Sequence, residues 1–489
     1  MNHATHDPMQ CSRGRSTRAL RLLQALCAVT LLAAVGCATA VPGPHVTPAS
    51  AEVLWITDVA VLDVATGRRT GFRDVTVRDG KIAAIDAAGR GRAPGGATRI
   101  AGAGATLIPG LVDMHGHINS NPAPPWEGGF PDPEAMMAGY LYTGVTTVFD
   151  PGDGSGSAVS RREAVARGTQ VGPQIFTAGP VHTAPDGHPV ALVRAFVPGW
   201  LAWYVEPRVA VQLATVEEAR DAALDIADAE VDFGKIVIDA IPLDAPRLAR
   251  DVAAAFVTEA ESKGIRTVAH IGTTEDAIDA AEAGVAAWVH GVYKERIPDT
   301  EIARLAGYGI PMVATTEVFD NYARLRLGPR EAIAIEREIA TAERLASFYP
   351  IPAEFQAGAL DSWQELNLEA YQQRVRVDNV RRLHRAGVTI LAGSDTQSGV
   401  FPGAGLHREL AHLVEAGLTP TEAIRAATLG PAQFLEDTDA PSFGNVAVGQ
   451  RADLVLVAGD PTTDIGAVSR IREVIQAGRL LERVAVGAR

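Results

Sequence analysis

Along this chain, short apolar runs ending in polar residues alternate with longer stretches whose apolar positions recur every three to four residues. The short runs are "GLVDMHG", "VTTVFDP", "PQIFTAGP", "KIVID", "TVAHIG", "AAWVHG", "PMVATT" and "TILAGSD". Between them lie amphipathic stretches such as "TVEEARDAALDIADAE", "APRLARDVAAAFVTEAESKG" and "TEDAIDAAEAG". Strands with period two and helices with period 3.6 differ in this way. Eight such strand–helix units predict an α/β fold, a (β/α)8 TIM-like barrel, over residues 108–435. A stretch at about 317–378, carrying Tyr322, Trp363, Tyr371 and many arginines, interrupts units seven and eight and reads as a helical insertion over the barrel mouth or a solvated helical hairpin.

Both flanks read differently. "VLWITDVAVLDVATG" and "FRDVTVRDGKIAAID" alternate and end in turn residues, as do "VAVGQRADLVLVAGDP" and "IREVIQAGRLL" near the other end. Residues 52–107 and 436–489 are therefore expected to pair into a small composite β-sandwich. Residues 38–51, "ATAVPGPHVTPASA", lack periodicity and read as a linker.

The first 37 residues read as an export signal. Arg13, Arg15, Arg18 and Arg21 precede the apolar "ALCAVTLLAAVG", which is too short to span a bilayer. The segment ends in "AAVGC", similar to a bacterial lipobox with Cys37 as the lipid-bearing residue; an ordinary signal cleaved near "ATA" is the other reading. Either way the mature chain is expected outside the cytoplasm, in the periplasm, touching a membrane only through a lipid on Cys37. Cys11, Cys27 and Cys37 are the only cysteines, so the remainder has neither a disulfide nor a thiolate ligand. Loss of four arginines and one aspartate with this segment takes the formal charge from −14 to −17, which disfavours nucleic acid and anionic lipid surfaces. A small-molecule substrate is the expected partner, and a homo-oligomer is compatible with the chain.

Barrel enzymes carry their chemistry at the C-terminal ends of the strands. His115 and His117 end the first predicted strand, Lys235 opens the fourth, His270 and His290 end the fifth and sixth, and Asp395 ends the eighth. Alternate strand residues share a face, so the single glycine between His115 and His117 would point both imidazoles inward. Each residue has a bland alternative: a hydrogen-bonded core histidine, a surface lysine, an aspartate capping a helix. Together they form a ligand set suited to zinc or a similar divalent ion.

The set resembles the amidohydrolase superfamily, in particular its imidazolonepropionase-related branch, which also holds Xaa-Pro dipeptidases. The resemblance runs from about 52 to 485 and rests on "PGLVDMHGH", "AHIGTTEDAIDAAEAGVAAWVHG", "AGSDT", "LHRELAHLVEAGLTPTEAIRAATLGPA" and "GNVAVGQRADLVLVAGDP". It implies two divalent ions, one held by His115 and His117 with Asp395 nearby, the other by His270 and His290. It also implies a carboxylated Lys235 that bridges them. Val289 stands before His290 where many relatives carry an acidic residue. The loop "GPVHTAPDGHPV" places His188 as a substrate-facing or loop-stabilising residue.

The expected reaction is hydrolysis of an amide or peptide-type C–N bond, in an N-acyl amino acid or dipeptide, by a hydroxide shared between the ions. Asp395 would act as general base and then general acid. Tyr293 and Arg194 are further candidates for contacting the substrate. Competing expectations are a mononuclear cyclic-amide hydrolase or deaminase with unmodified Lys235, an esterase or lactonase, and a non-catalytic binding lipoprotein.

Overall fold

The computed structural model describes residues 43–49, 53–127, 130–197, 199–352 and 360–487. The expected export segment, with Cys37, lies outside these residues. Among the described residues no helix is long and apolar enough to cross a membrane.

Strands from both flanks join one ten-stranded sheet. Its seam is Thr106–Pro109 running antiparallel to Leu454–Val457, with Leu107 opposite Leu456 and Ile108 opposite Val455. All eight of these residues are buried, because "TLIP" and "LVLV" are apolar on both faces rather than alternating. Leu107, Leu454 and Leu456 pack with Leu54, Ile56, Val75 and Ile82 in a core of the sheet's own. Ile108, Val455 and Val457 face the other way, into the main core. The period-two alternation thus lays this sheet against the rest of the fold.

The linker reading of 38–51 needs correction over its described part. His45–Pro48 is an edge strand antiparallel to Arg479–Val484. Val46 is buried there beside Leu481 and Leu141. Proline composition hid the strand, and Pro48 is tolerated because it closes an edge strand.

All eight strands expected in the central region are present and are parallel within their sheets. Leu111–Asp113, Val145–Asp150 and Gln174–Thr177 form a three-stranded sheet. Phe233–Val237, Arg266–His270, Ala287–Val289, Met312–Ala314 and Ile390–Ala392 belong to a seven-stranded one, completed by two unexpected strands, Val181–Thr183 and Ala210–Gln212. The fold is mixed α/β. This order is consistent with a (β/α)8 barrel, although the pairing falls into two sheets rather than one closed ring. Isolated backbone bonds link them: Met114 N donates to Ala392 O at 3.0 Å, and Asp232 N to Thr177 O at 2.9 Å.

Helices fill the connections as their periodicity directs. In Val216–Asp228 the buried residues Ala219, Ala222, Ala223 and Ile226 follow the i, i+3, i+4, i+7 pattern. Its start is set by a Thr215–Glu218 capping box. Among the described residues, five helices, beginning with Thr316–Leu325 and ending with Val375–Arg385, occupy the stretch between the seventh and eighth of the expected strands. Buried ion pairs fasten them to helix Ala404–Glu415: Glu317 meets His412 at 3.0 Å, and Glu336 meets Arg408 at 2.7 Å. Lone charges at those depths would be costly, so the groups hold the insertion in a single seating.

Candidate metal and active site

The first parallel strand stops at Asp113, so His115 and His117 stand just beyond regular strand. Their backbone is nonetheless held. Met114 N bonds Ala392 O, Gly116 N donates to Phe149 O at 2.9 Å, and Asp395 N donates to His115 O at 2.7 Å. Asp395 has φ 53°, a left-handed conformation that aspartate tolerates better than most residues. Gly116 is required sterically. A Cβ there would lie 2.6 Å from Tyr140 Oη and 2.8 Å from Val148 Cγ1, both in the core.

Three donor atoms meet at one point. His115 Nε2 lies 3.2 Å from His117 Nε2, and Asp395 Oδ1 is 3.1 Å from His117 Nε2 and 3.5 Å from His115 Nε2. A tetrahedral zinc ion with ligand bonds of about 2.0–2.1 Å spaces its ligands about 3.3 Å apart, so this trio fits one divalent cation. The other imidazoles adjoin it. The ring of His290 is 4.6 Å from that of His115 and 4.1 Å from that of His270. His115, His290 and Asp395 offer ligand atoms all within 4.8 Å of one another. Lys235 sits mid-strand in Phe233–Val237 rather than at its start. It lines the same cavity, with its Nζ buried and without a hydrogen-bond partner. A buried amine without a partner is costly, and an ion or a carboxyl group on this nitrogen would satisfy it.

The electrostatics favour cations here. Burial works against charge on His117, but Asp150 and Asp395 outweigh it and push that imidazole up to about 10. Burial would raise the carboxyl of Asp395, yet His115 and His117 hold it below the usual carboxylate range. Burial pushes Lys235 down to about 7, with Asp395 pulling the other way. His115, His270 and His290 are all lowered, mainly by burial, which favours the neutral form a metal ligand needs, whereas His117 must give up its proton to take an ion.

Several supporting groups escaped the sequence reading. Asp239, two residues past its strand, is buried and meets His270 Nε2 at 3.2 Å; it also accepts hydrogen bonds from Tyr293 Oη at 2.7 Å and Lys294 Nζ at 2.5 Å. His290 Nδ1 pairs with Thr315 Oγ1 at 2.5 Å. These contacts leave Nδ1 of His270 and Nε2 of His290 for a metal and fix both rings. Asp150 lies 3.5 Å from His117 Nδ1 and accepts from Ile118 N at 3.1 Å. Asp113 accepts from His115 N at 3.1 Å and Ser394 N at 2.9 Å, tying the first strand to the segment after the eighth. The available signal was a carboxylate closing or following an apolar run: "LVD", "VFD", "VID".

The site opens into a cavity of about 870 Å³, whose walls include Phe319, Tyr322, Leu360 and Trp363 from the helical insertion. His188 lines it, its ring 5.0 Å from that of His270. Two other expected contacts are placed elsewhere. Tyr293 is buried behind the wall, its hydroxyl donating to Asp239 and accepting from Trp363 Nε1 at 3.0 Å, so it has no free group for substrate. Arg194 is exposed and paired with Glu206 at 2.9 Å and with Asp186. Among the described residues, Arg208 lines the cavity as Lys235 does.

The amidohydrolase family matches residues 106–481. The chain belongs to the amidohydrolase family. An imidazolonepropionase of Mycolicibacterium smegmatis is 33% identical over 131 residues, 27% of this chain and 32% of that relative, so the chain spans about a third of its length. In fold, the chain resembles a putative prolidase from Bifidobacterium longum, with TM-score 0.66, 24% identity, and coverage of 88% of this chain and 94% of the other. It likewise resembles a Xaa-Pro dipeptidase crystallised with methionine in its active site, with TM-score 0.68, 21% identity, and coverage of 88% and 99%.

Proposed function

We propose that this chain is an exported, metal-dependent amidohydrolase that cleaves the C–N bond of a small N-acyl amino acid or dipeptide. The observation that carries the reading is the convergence of six side chains from distant segments on one cavity: His115, His117, Lys235, His270, His290 and Asp395. On this reading the two parallel sheets are parts of one (β/α)8 barrel, bridged where Met114 meets Ala392 and Asp232 meets Thr177. The "AAVGC" sequence supports export with a lipid on Cys37.

His115, His117 and Asp395 would hold one divalent ion, zinc by donor type, and His270 and His290 a second; a carboxylated Lys235 would serve both. Bound ions would supply Lewis acidity and lower the pKa of water. The chain's own groups do the rest. Asp395, fixed by its bond to His115 O and by Gln397 Nε2 at 3.1 Å, takes the proton of the attacking water and passes it to the departing nitrogen. His188, pushed down to about 3 mainly by burial, stays neutral and offers a hydrogen bond to the substrate. Trp363, Tyr322 and Phe319 cover the site and exclude bulk water.

The test is turnover of N-acyl amino acids, Xaa-Pro dipeptides and lactones by zinc-supplemented protein, beside Asp395→Asn. Amide hydrolysis that drops by about 10²–10⁴-fold in the variant, with zinc content retained, supports the proposal. Turnover of lactones alone, or an Asp395→Asn enzyme of full activity, overturns it.

A further inference from the structure

Between the two unexpected strands lies a helical hairpin, Val190–Phe196 and Gly199–Val209. Its second helix, "GWLAWYVEPRV", inverts the usual burial. Trp200 is 77% exposed and Trp203 72%, with Tyr204 beside them at 45%. Only Phe130, at 84%, is more exposed among the described large hydrophobic residues. Phe130 lines the catalytic cavity together with Arg208 and Val209 from the end of this helix, and the Arg208 guanidinium sits over the Tyr204 ring, so the helix that carries the exposed aromatics ends at the cavity. Isolated apolar residues on a surface need no explanation, but three exposed aromatics on one short helix do.

We propose that this aromatic face docks into the interfacial layer of a zwitterionic lipid bilayer and turns the cavity mouth toward it. The proposal rests on the reading that Cys37 carries a lipid. The composition suits a bilayer interface, where tryptophan and tyrosine place an apolar body beside a polar rim. The hairpin's charges are already compensated. Arg194 pairs with Glu206 and Asp186, and Arg208, whose guanidinium lies 3.6 Å over the Tyr204 ring, brings the sum of these four charges to zero.

Chain length supports the same placement. Gly43 lies against Ala135, and Pro133 at the start of that helix lines the cavity. Five residues, and so six residue-to-residue steps, separate Cys37 from Gly43. Fully extended, they reach about 20 Å. A lipid on Cys37 therefore keeps this mouth close to the bilayer and raises the local concentration for docking. A second copy of the chain fits less well. Three exposed aromatics at about 150–250 Å² each supply roughly 500 Å², short of the roughly 800 Å² per partner of a stable dimer. Docked in this way, the cavity would draw apolar N-acyl substrates directly from the leaflet.

The experiment uses the full chain purified from membranes and reconstituted in phosphatidylcholine vesicles whose acyl chains carry bromine, a short-range quencher. Two of the six tryptophans lie on the docking face, while Trp288 and Trp363 are buried and Trp55 and Trp126 partly so. Quenching of up to about a third of the emission is expected, by that count of indoles buried and exposed. It should vanish in W200F/W203F while that variant still floats with the vesicles. Equal quenching in the double variant, or none in the floating wild type, overturns docking. So does a dimer in solution that shields both indoles before lipid is added. The lipid anchor is read separately: Cys37→Ser should lose flotation, and unchanged flotation of that variant refutes the anchor while leaving the quenching result to decide the docking.

Discussion

Replacing Gly116 by alanine probes why two histidines are separated by so small a residue. The added methyl would stand 2.6 Å from Tyr140 Oη, 2.8 Å from Val148 Cγ1 and 3.1 Å from Tyr140 Cζ. Optimal heavy-atom contact is about 3.5–4.0 Å, so something must retreat by roughly 0.7 Å or more. Both neighbours are fully buried. Tyr140 Oη also donates to Thr396 Oγ1 at 2.8 Å, and Thr396 contacts Ser394 Oγ, which donates to Asp113. Overpacking of this kind costs about 1–3 kcal/mol, and straining a buried hydrogen bond about 1 kcal/mol more. Gly116→Ala should therefore lose about 2–4 kcal/mol in urea unfolding followed by tryptophan fluorescence. It should also bind zinc more weakly, because Asp113 fixes the His115 amide. Tyr140→Phe removes the nearest atom, so the two substitutions should couple, with the double variant about 1 kcal/mol more stable than additivity allows. A Gly116→Ala protein within about 0.5 kcal/mol of the parent, or strictly additive losses, would falsify the steric account.

Other outcomes follow from the same geometry. Lys235→Ala should reduce bound zinc to one ion or none per chain by elemental analysis, and unchanged stoichiometry would remove the lysine from the metal site. Asp239→Asn should weaken metal binding by about 10–100-fold while leaving the fold intact by circular dichroism, because it orients His270 without reaching the ion; an unaltered affinity would make Asp239 merely structural. Glu409, buried among Glu317, His412 and Arg408, is pushed up by burial to about 8 from 4.5. The folded state then binds the extra proton, so this group's contribution to stability falls as pH rises from about 4.5 to about 8. Glu409→Gln, which can still accept from Glu317 N at 2.8 Å, should gain on the parent across that window, by at most about 4–5 kcal/mol. Parallel stability profiles would show that Glu409 ionises normally.

The residues most legible in the sequence were those whose chemistry clashes with their surroundings. A lysine in "FGKIV" and imidazoles closing "TVAH" and "WVHG" stand out because burying them is costly. Local periodicity likewise marked the eight central strands and the helices beside them. Contacts that depend on remote partners left no local mark. Asp239 is one aspartate among many until Tyr293 and Lys294 close around it. Arg194 looked suitable for a substrate, and only the path of the hairpin pairs it with Glu206 and leaves Arg208 at the cavity. Tyr293 follows His290 by three residues, yet its hydroxyl is turned toward Asp239 and Trp363.

By itself, then, the sequence determined the eight central strands and the helices beside them, and which side chains are too polar to be buried without purpose, because periodicity and desolvation act over a few neighbouring residues. Tertiary structure alone decided which carboxylate holds which imidazole, which aromatics cover the cavity and which face outward. Those choices depend on separations of a few ångströms between residues up to about three hundred positions apart, and only packing sets such distances.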